Sequence, residues 1–330
     1  MLYIIFLMLL GQVEAKSPFE QKSMQPAISP NQASRPLILP KGWMEFTVEM
    51  QSKYATAQRD FNNEITPLGS NQYWSYSQLW FNYSNAFSSR LMVYMHVPFV
   101  HAQFQPSDGD AIATTALGDV HTGFYYQPTL ERQNFVVQVD LKSPSGVEWP
   151  SSKDGGPNDI SGFLTGTGLT NLGFIGHYKV QPSALYALHI QTGYTFKFPA
   201  IVGYVVEKNG FGNGILNAGN EFNIAAVHQV QIKPTTCLEF THQYSHRAPY
   251  FMGVSGEGIR WHVDEEILGA GWFVNVGAGL SWESSPMQAY SLHIDQQVLG
   301  TSTTAFALLG LEEFSPQPGT TISLKGSRRW

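Results

Sequence analysis

The chain has 330 residues, of which 13% are charged and 13% aromatic, and carries a net charge of −6. That charge content is about half the roughly 25% of a soluble domain, yet mean hydropathy is only −0.15, and no apolar run of about 20 residues follows the N-terminus to form a spanning helix. No basic run points to nucleic acid, and the single cysteine, Cys237, excludes an intrachain disulfide and a cysteine-built metal site.

The chain opens MLYIIFLMLLGQVEAKSP. Leu2 to Leu10 form a nine-residue apolar core, and Val13-Glu14-Ala15 puts small residues where a signal peptidase reads. Nine residues span about 14 Å as helix, too short for a bilayer core of about 30 Å. Residues 1–15 therefore read as a signal peptide. Residues 16–42 are rich in Pro, Ser, Gln and Asn and read as an extended periplasmic lead-in.

Alternation of period two, the mark of a strand, begins next and recurs. Residues 44–54 set Phe46, Val48 and Met50 against Glu45, Thr47, Glu49 and Lys53. Residues 72–84 are aromatic on both faces, which leaves their register open. Residues 90–104 place Leu91, Val93, Met95, Val97 and Phe99 on one side. In 117–127, Val120, Phe124 and Tyr126 oppose Asp119 and His121; in 134–143, Phe135, Val137, Val139 and Leu141 oppose Gln138, Asp140 and Lys142. Residues 169–180 set Leu172, Phe174 and Tyr178 against His177 and Lys179.

The seventh segment reads YALHIQTGYTFKF, residues 186–198, with an aromatic and aliphatic face opposite His189, Gln191 and Lys197. Residues 218–231 and 235–245 follow, with Glu221 and Glu239 on their polar faces. Residues 270–282 alternate most cleanly, from Trp272 to Trp282. Residues 288–298 set Tyr290, Leu292 and Ile294 against His293 and Asp295, and 301–314 end in Phe314. These are about twelve segments.

The same alternation suits a soluble sandwich, apolar face inward, and a membrane barrel, apolar face to lipid. Two observations separate them. Links near 84–89, 128–133, 181–184, 232–234 and 283–287 are short, whereas 55–71, 105–116, 144–168, 199–217 and 246–269 are long and polar. Only the last outer link, near Gly300, reads as short. That alternation is the short periplasmic turn and long external loop of an up-and-down barrel. Second, residues 272–282 would span about 34 Å as strand, or about 26 Å once tilted, with Trp at each end. This matches an apolar band of about 25 Å between aromatic girdles. The expectation is an all-β, transmembrane antiparallel up-and-down barrel over 43–314, in a bacterial outer membrane. Residues 315–330 are left as a periplasmic tail or as the closing strand. The tail is favoured because Ser327-Arg328-Arg329 suits a lipid face poorly, where Arg costs up to about 2–4 kcal/mol.

The polar faces nominate lumen residues: Glu45, Glu49, Asp119, His121, Asp140, Lys142, His177, His189, Glu221, Glu239, His293 and Asp295. Lys53, Lys179 and Lys197 share those faces. Mixed acids and bases could select a solute, or could fill the lumen with their own ion pairs. No metal site, cofactor or catalytic set is expected. His242 and His246 lie about 13 Å apart on a strand, too far for one ion. Ser291, His293 and Asp295 at i, i+2 spacing do not make a triad. Asp108-Gly109-Asp110 and Asp154-Gly155-Gly156 read as polar loop tips rather than calcium loops. Gly166-Thr167-Gly168 and the run Gly210 to Gly214 read as flexible loop mouths.

RPLILPKGWMEF (35–46), RLMVYMHVPF (90–99), LGDVHTGFYYQP (117–128), LKSPSG (141–146) and GTGLTNLGFIGHY (166–178) occur in this order. Together they resemble the outer-membrane transporter family labelled putative MetA-pathway of phenol degradation, or a closely related uncharacterised family of barrels. The likeness covers about residues 35 to 314. Ser145 stands where members usually have Thr, and the chain continues past the aromatic Phe314. The resemblance implies passive passage of small, aromatic or hydrophobic solutes without catalysis. Its expected partners are outer-membrane lipid, the solute and the barrel-insertion machinery. The alternative is a plugged barrel that acts through its long external loops.

Overall fold

A strand that crosses lipid must pair both of its edges, because hydrocarbon offers no hydrogen-bond partner to the backbone. In the computed structural model of the chain this requirement is met by closure. The structure describes residues 36–55, 57–59, 65–67, 69, 72–105, 111–128, 135–146, 169–206, 210–217, 219–254, 265–268, 270–301 and 320–330. The first eight strands are β1 (Met44–Ala55), β2 (Ala57–Arg59), β3 (Ile65–Pro67), β4 (Tyr73–Ala86), β5 (Leu91–Gln105), β6 (Ile112–Leu117), β7 (Val120–Tyr126) and β8 (Phe135–Ser143). They continue as β9 (Asn171–Ser183), β10 (Tyr186–Lys197), β11 (Ala200–Val206), β12 (Gly210–Asn217), β13 (Glu221–Lys233) and β14 (Thr236–Arg247). The last are β15 (Tyr250–Val254), β16 (Glu265–Leu268), β17 (Gly271–Ser285), β18 (Gln288–Thr301) and β19 (Thr320–Arg329).

β6 and β7 pair in succession with the two halves of β5, so they form one stave interrupted at Gly118-Asp119. The ring then runs β1, β4, β5, β6/β7, β8, β9, β10, β13, β14, β17, β18, β19 and back to β1. It is a closed antiparallel barrel of twelve staves. The long links carry their own pairing: β2 with β3, and β11, β12, β15 and β16 in a four-stranded sheet.

Parity assigns the faces. In β5, Met95 and Phe99 are exposed on the outside, whereas Met92, Tyr94 and Val100 are buried inside. In β8, Phe135 and Leu141 are outside, and Val136, Gln138 and Lys142 inside. Outer aromatics sit at both ends: Trp282 stacks on Tyr290 at 5.7 Å beside the turn at 286–287, and Tyr244 stacks on Trp272 at 6.5 Å at the opposite end. These are the two girdles. In β4, where sequence left the register open, pairing puts Phe81 opposite Val97 and Val48, and Trp80 opposite Glu49, so Trp80 faces the lumen.

Two expectations are corrected. The closing stave is Thr320–Arg329, paired with β18 and, through Tyr54↔Thr320 to Glu45↔Arg329, with β1. Residues 320–329 are therefore the closing stave rather than a tail; residues 302–319, which include 302–314 of the expected last strand, lie outside the described residues. The arginine objection fails because Arg329 turns inward and is 6% exposed. Only Arg328 lies on the outer parity, at the periplasmic rim opposite Phe46 and Gln288. The separation of β18 from β19 thus removes the one short outer link that the sequence suggested.

The lead-in is the second correction. Residues 36–43 are not simply periplasmic. Ile38 is 4% exposed and packs on the inward Ala86, Met92 and Val136, with Leu37, Leu39 and Tyr125 around them. The strap is tied at Gly42, whose N–H donates to the Ala86 carbonyl at 2.7 Å and whose φ of +81° suits glycine. An apolar Leu-Ile-Leu has a dry patch at the lumen mouth to bury on, which a solvated lead-in lacks. Residues 1–15, expected as a signal peptide, and residues 16–35 lie outside the described residues, as do Gly166–Gly168, Asp108–Asp110 and Asp154–Gly156. The glycine run from Gly210 is strand β12, paired with β11, rather than a loop mouth.

Candidate functional site: the lumen

Inward side chains from ten staves meet in the barrel. A cavity of about 530 Å³ is bounded by the strap residues Pro36, Leu37, Leu39 and Pro40 at its mouth. One wall is aromatic and imidazole: Trp80, His96, Tyr125, His177 and His189. The other is charged: Glu45, Glu49, Lys325 and Arg329. A second cavity of about 390 Å³ adjoins it and is lined by Glu239, Ser281, His293 and Asp295. The two share Glu45, Glu49, Gln51, Lys325 and Arg329, so they are neighbouring parts of one lumen.

Most lumenal charges are matched. Arg329 Nε donates to Glu45 Oε2 at 2.5 Å, and Arg329 Nη1 lies 3.6 Å from Glu283 Oε1. Lys142 Nζ donates to Asp119 Oδ2 at 3.0 Å, and Lys197 Nζ to Glu221 Oε2 at 3.0 Å. His121 Nδ1 is 2.9 Å from Asp140 Oδ2, and His293 Nε2 is 2.9 Å from Glu239 Oε2. Glu49 accepts from Gln51 Nε2 at 2.6 Å, and Asp295 accepts from Thr241 Oγ1 at 3.2 Å. Lys325 differs. It reaches both cavities and carries no ion pair among the described residues.

His177 and His189, both nominated, also touch each other across two staves. Register pairs His177 with Gln191 and His189 with Lys179, so the two imidazoles meet diagonally, Nδ1 to Nε2 at 3.2 Å. Behind them runs a chain that sequence did not identify. His177 Nε2 is 2.8 Å from Gln138 Oε1, Gln138 Nε2 donates to Tyr94 Oη at 2.8 Å, and Tyr94 Oη donates to Asp140 Oδ1 at 2.5 Å. Gly123 makes room for it: a Cβ there would sit 2.7 Å from Tyr94 Oη and 2.0 Å from the Val139 carbonyl. Parity in residues 90–104 already places Tyr94 and His96 opposite the apolar face, which was the available signal. Trp80 was hidden by aromatics on both faces, and Lys325 and Arg329 by the tail reading.

Ser281 and His293 do not form a nucleophile–base pair here. Ser281 Oγ donates to Glu239 Oε1 at 3.2 Å while His293 holds Glu239 Oε2. The carboxylate thus stands between hydroxyl and imidazole, where acyl transfer needs those two in contact. Among the described residues no group of three His, Cys, Asp or Glu gathers for a metal.

No family model matches the chain, and no curated protein matches it. The motif likeness to the phenol-degradation family therefore gains no support there. The fold does have solved counterparts. A crystal structure of an outer-membrane channel from Pseudomonas putida F1 superposes with a TM-score of 0.63 at 11% identity, covering 88% of this chain and 97% of that one. The beta domain of the Bordetella autotransporter BrkA gives 0.49 at 8% identity over 87% and 99%. The monoaromatic hydrocarbon channel TodX, as a deletion mutant, gives 0.45 at 11% identity over 88% and 91%. At these identities the likeness concerns fold, and only the first superposition is close enough to weigh. With its apolar outer belt, two aromatic girdles and polar lumen, the chain is a twelve-stave β-barrel of the bacterial outer membrane.

Proposed function

We propose that the barrel is a passive channel for small solutes with a flat apolar or aromatic part. The observation that carries this reading is the lumen space itself, two adjoining cavities of about 530 and 390 Å³ with five shared wall residues. Space of this size suits a small organic molecule. Twelve staves also lie between the filled eight-stranded barrels and the open sixteen-stranded porins. Trp80 and Tyr125 offer ring faces on one wall, and Lys325, Glu45 and Glu49 offer charge on the other. The Pseudomonas putida structure of like fold is an outer-membrane channel, which agrees with the reading.

The strap is the counter-observation. Leu37, Ile38 and Leu39 sit at the periplasmic mouth and favour a gated pore, or in the extreme a closed one that works through its external loops. Single-channel recording in planar bilayers decides. Discrete openings from the purified barrel support the channel, and more frequent openings from a variant lacking residues 16–40 support the gate. Silence from both, in protein that still shows barrel heat-modifiability, overturns the channel. Passage of the solute down its gradient requires no cofactor and no covalent step, so the reading assigns no enzyme activity.

A further inference from the structure

We infer that His177 and His189 form a lumenal site for a soft divalent cation such as Cu²⁺ or Zn²⁺. Asp140 sets the direction of the hydrogen-bond chain. Its two carboxylate oxygens only accept, one from Tyr94 Oη at 2.5 Å and the other from His121 at 2.9 Å. Tyr94 has a single proton, so its oxygen must accept the bond from Gln138, which fixes the amide with its NH₂ toward Tyr94. The Gln138 carbonyl then faces His177 Nε2 at 2.8 Å, and that nitrogen carries the proton. Every bond in the chain donates toward Asp140. His177 Nδ1 is left as a bare lone pair aimed at His189 Nε2.

An imidazole whose far N–H is held by a fixed acceptor is the usual form of a metal-ligating histidine. The spacing fits as well. Two nitrogens at 2.0–2.1 Å from a tetrahedral zinc ion stand about 3.3 Å apart, and these two are 3.2 Å apart. In the empty site His189 Nε2–H donates to His177 Nδ1. On binding, that proton moves to His189 Nδ1 through solvent, both rings stay neutral, and both facing lone pairs go to the cation. Both residues line the larger cavity, so an ion can reach them. No third protein ligand gathers there among the described residues, so water completes the coordination. Lys179, opposite His189 in register, weakens the site further. A weak site suits a lumen, where an occupant must also leave.

The test is Cu²⁺ titration of the detergent-solubilised barrel, read by electron paramagnetic resonance. It is made in a His228→Leu/His242→Leu background so that this adjacent outer-face imidazole pair contributes nothing. The expected spectrum shows two equivalent imidazole nitrogens. His177→Ala and His189→Gln should each lose the two-nitrogen pattern, and Gln138→Leu, which keeps both ligands but frees the tautomer, should weaken binding about tenfold. A two-nitrogen spectrum that survives in His189→Gln, or no bound copper at millimolar metal in the background protein, overturns the site. If His177→Ala fails to fold, His189→Gln and Gln138→Leu give the same decision. The readout needs no open pore, so a silent bilayer experiment and a missing metal site are separate results.

Discussion

Arg329 donates to Glu45 across 284 residues of sequence, at 2.5 Å, where the last stave meets the first. The pair is mostly shielded, with side-chain exposures of 7% and 19%, and Glu283 stands on the far side of the same guanidinium. Removing one partner of a shielded pair leaves the other charge without compensation. Arg329→Ala should therefore destabilise the barrel by roughly 3 kcal/mol. Urea unfolding in lipid vesicles measures it. A change within error would show that the ladder from Tyr54↔Thr320 to Glu45↔Arg329 closes the ring unaided.

Lys325 is the lumenal cation to change for selectivity, because its neighbours leave it without an ion pair while it borders both cavities. Two unit charges about 4 Å apart in water interact by about 1 kcal/mol. Lys325→Glu inverts one such charge and should raise the cation-to-anion permeability ratio about two- to fivefold. The reversal potential in a salt gradient reads this directly. An unchanged potential would place the conducting path away from β19.

Ile38 anchors the strap. Burying an isoleucine side chain contributes about 2 kcal/mol, so placing a charge there removes at least that much from docking. Ile38→Asp should shift the docked-to-undocked ratio by roughly thirtyfold and raise open probability, while the ring of staves still closes because no stave residue is replaced. Equal open probability in variant and wild type would mean that the strap does not limit passage.

Titratable side chains of β10, β13 and β14 gather on the outer belt. Tyr186 Oη lies 2.8 Å from His228 Nδ1, and the His228 and His242 rings meet edge to face at 5.5 Å. Both histidines share parity with the exposed Ile224, Val230, Phe240 and Tyr244. Polar groups facing lipid cost free energy. His228→Leu/His242→Leu should stabilise the barrel in vesicles by about 1 kcal/mol, after the loss of one hydrogen bond. A clear loss of stability would indicate that something more polar than lipid covers this patch.

The sequence by itself determined the faces of most staves and the approximate bounds of eleven of them. Period-two alternation is a local property, readable in Leu91 to Phe99 or Trp272 to Trp282 without knowledge of any neighbour. What only the tertiary structure decided was which strand meets which, and at what register. Residues 320–329 show Ile322 and Leu324 on one parity and Lys325, Ser327 and Arg329 on the other, a weak pattern with a polar end. Its reading as a stave follows from two partners, β1 and β18, that are remote in the chain. The strap was opaque for the same reason: Leu37-Ile38-Leu39 is apolar without period, and only a closed ring offers Ala86, Met92 and Val136 to cover it. His177 and His189 were each nominated for facing inward, but their contact depends on the register of β9 against β10, which the tight turn at 184–185 fixes.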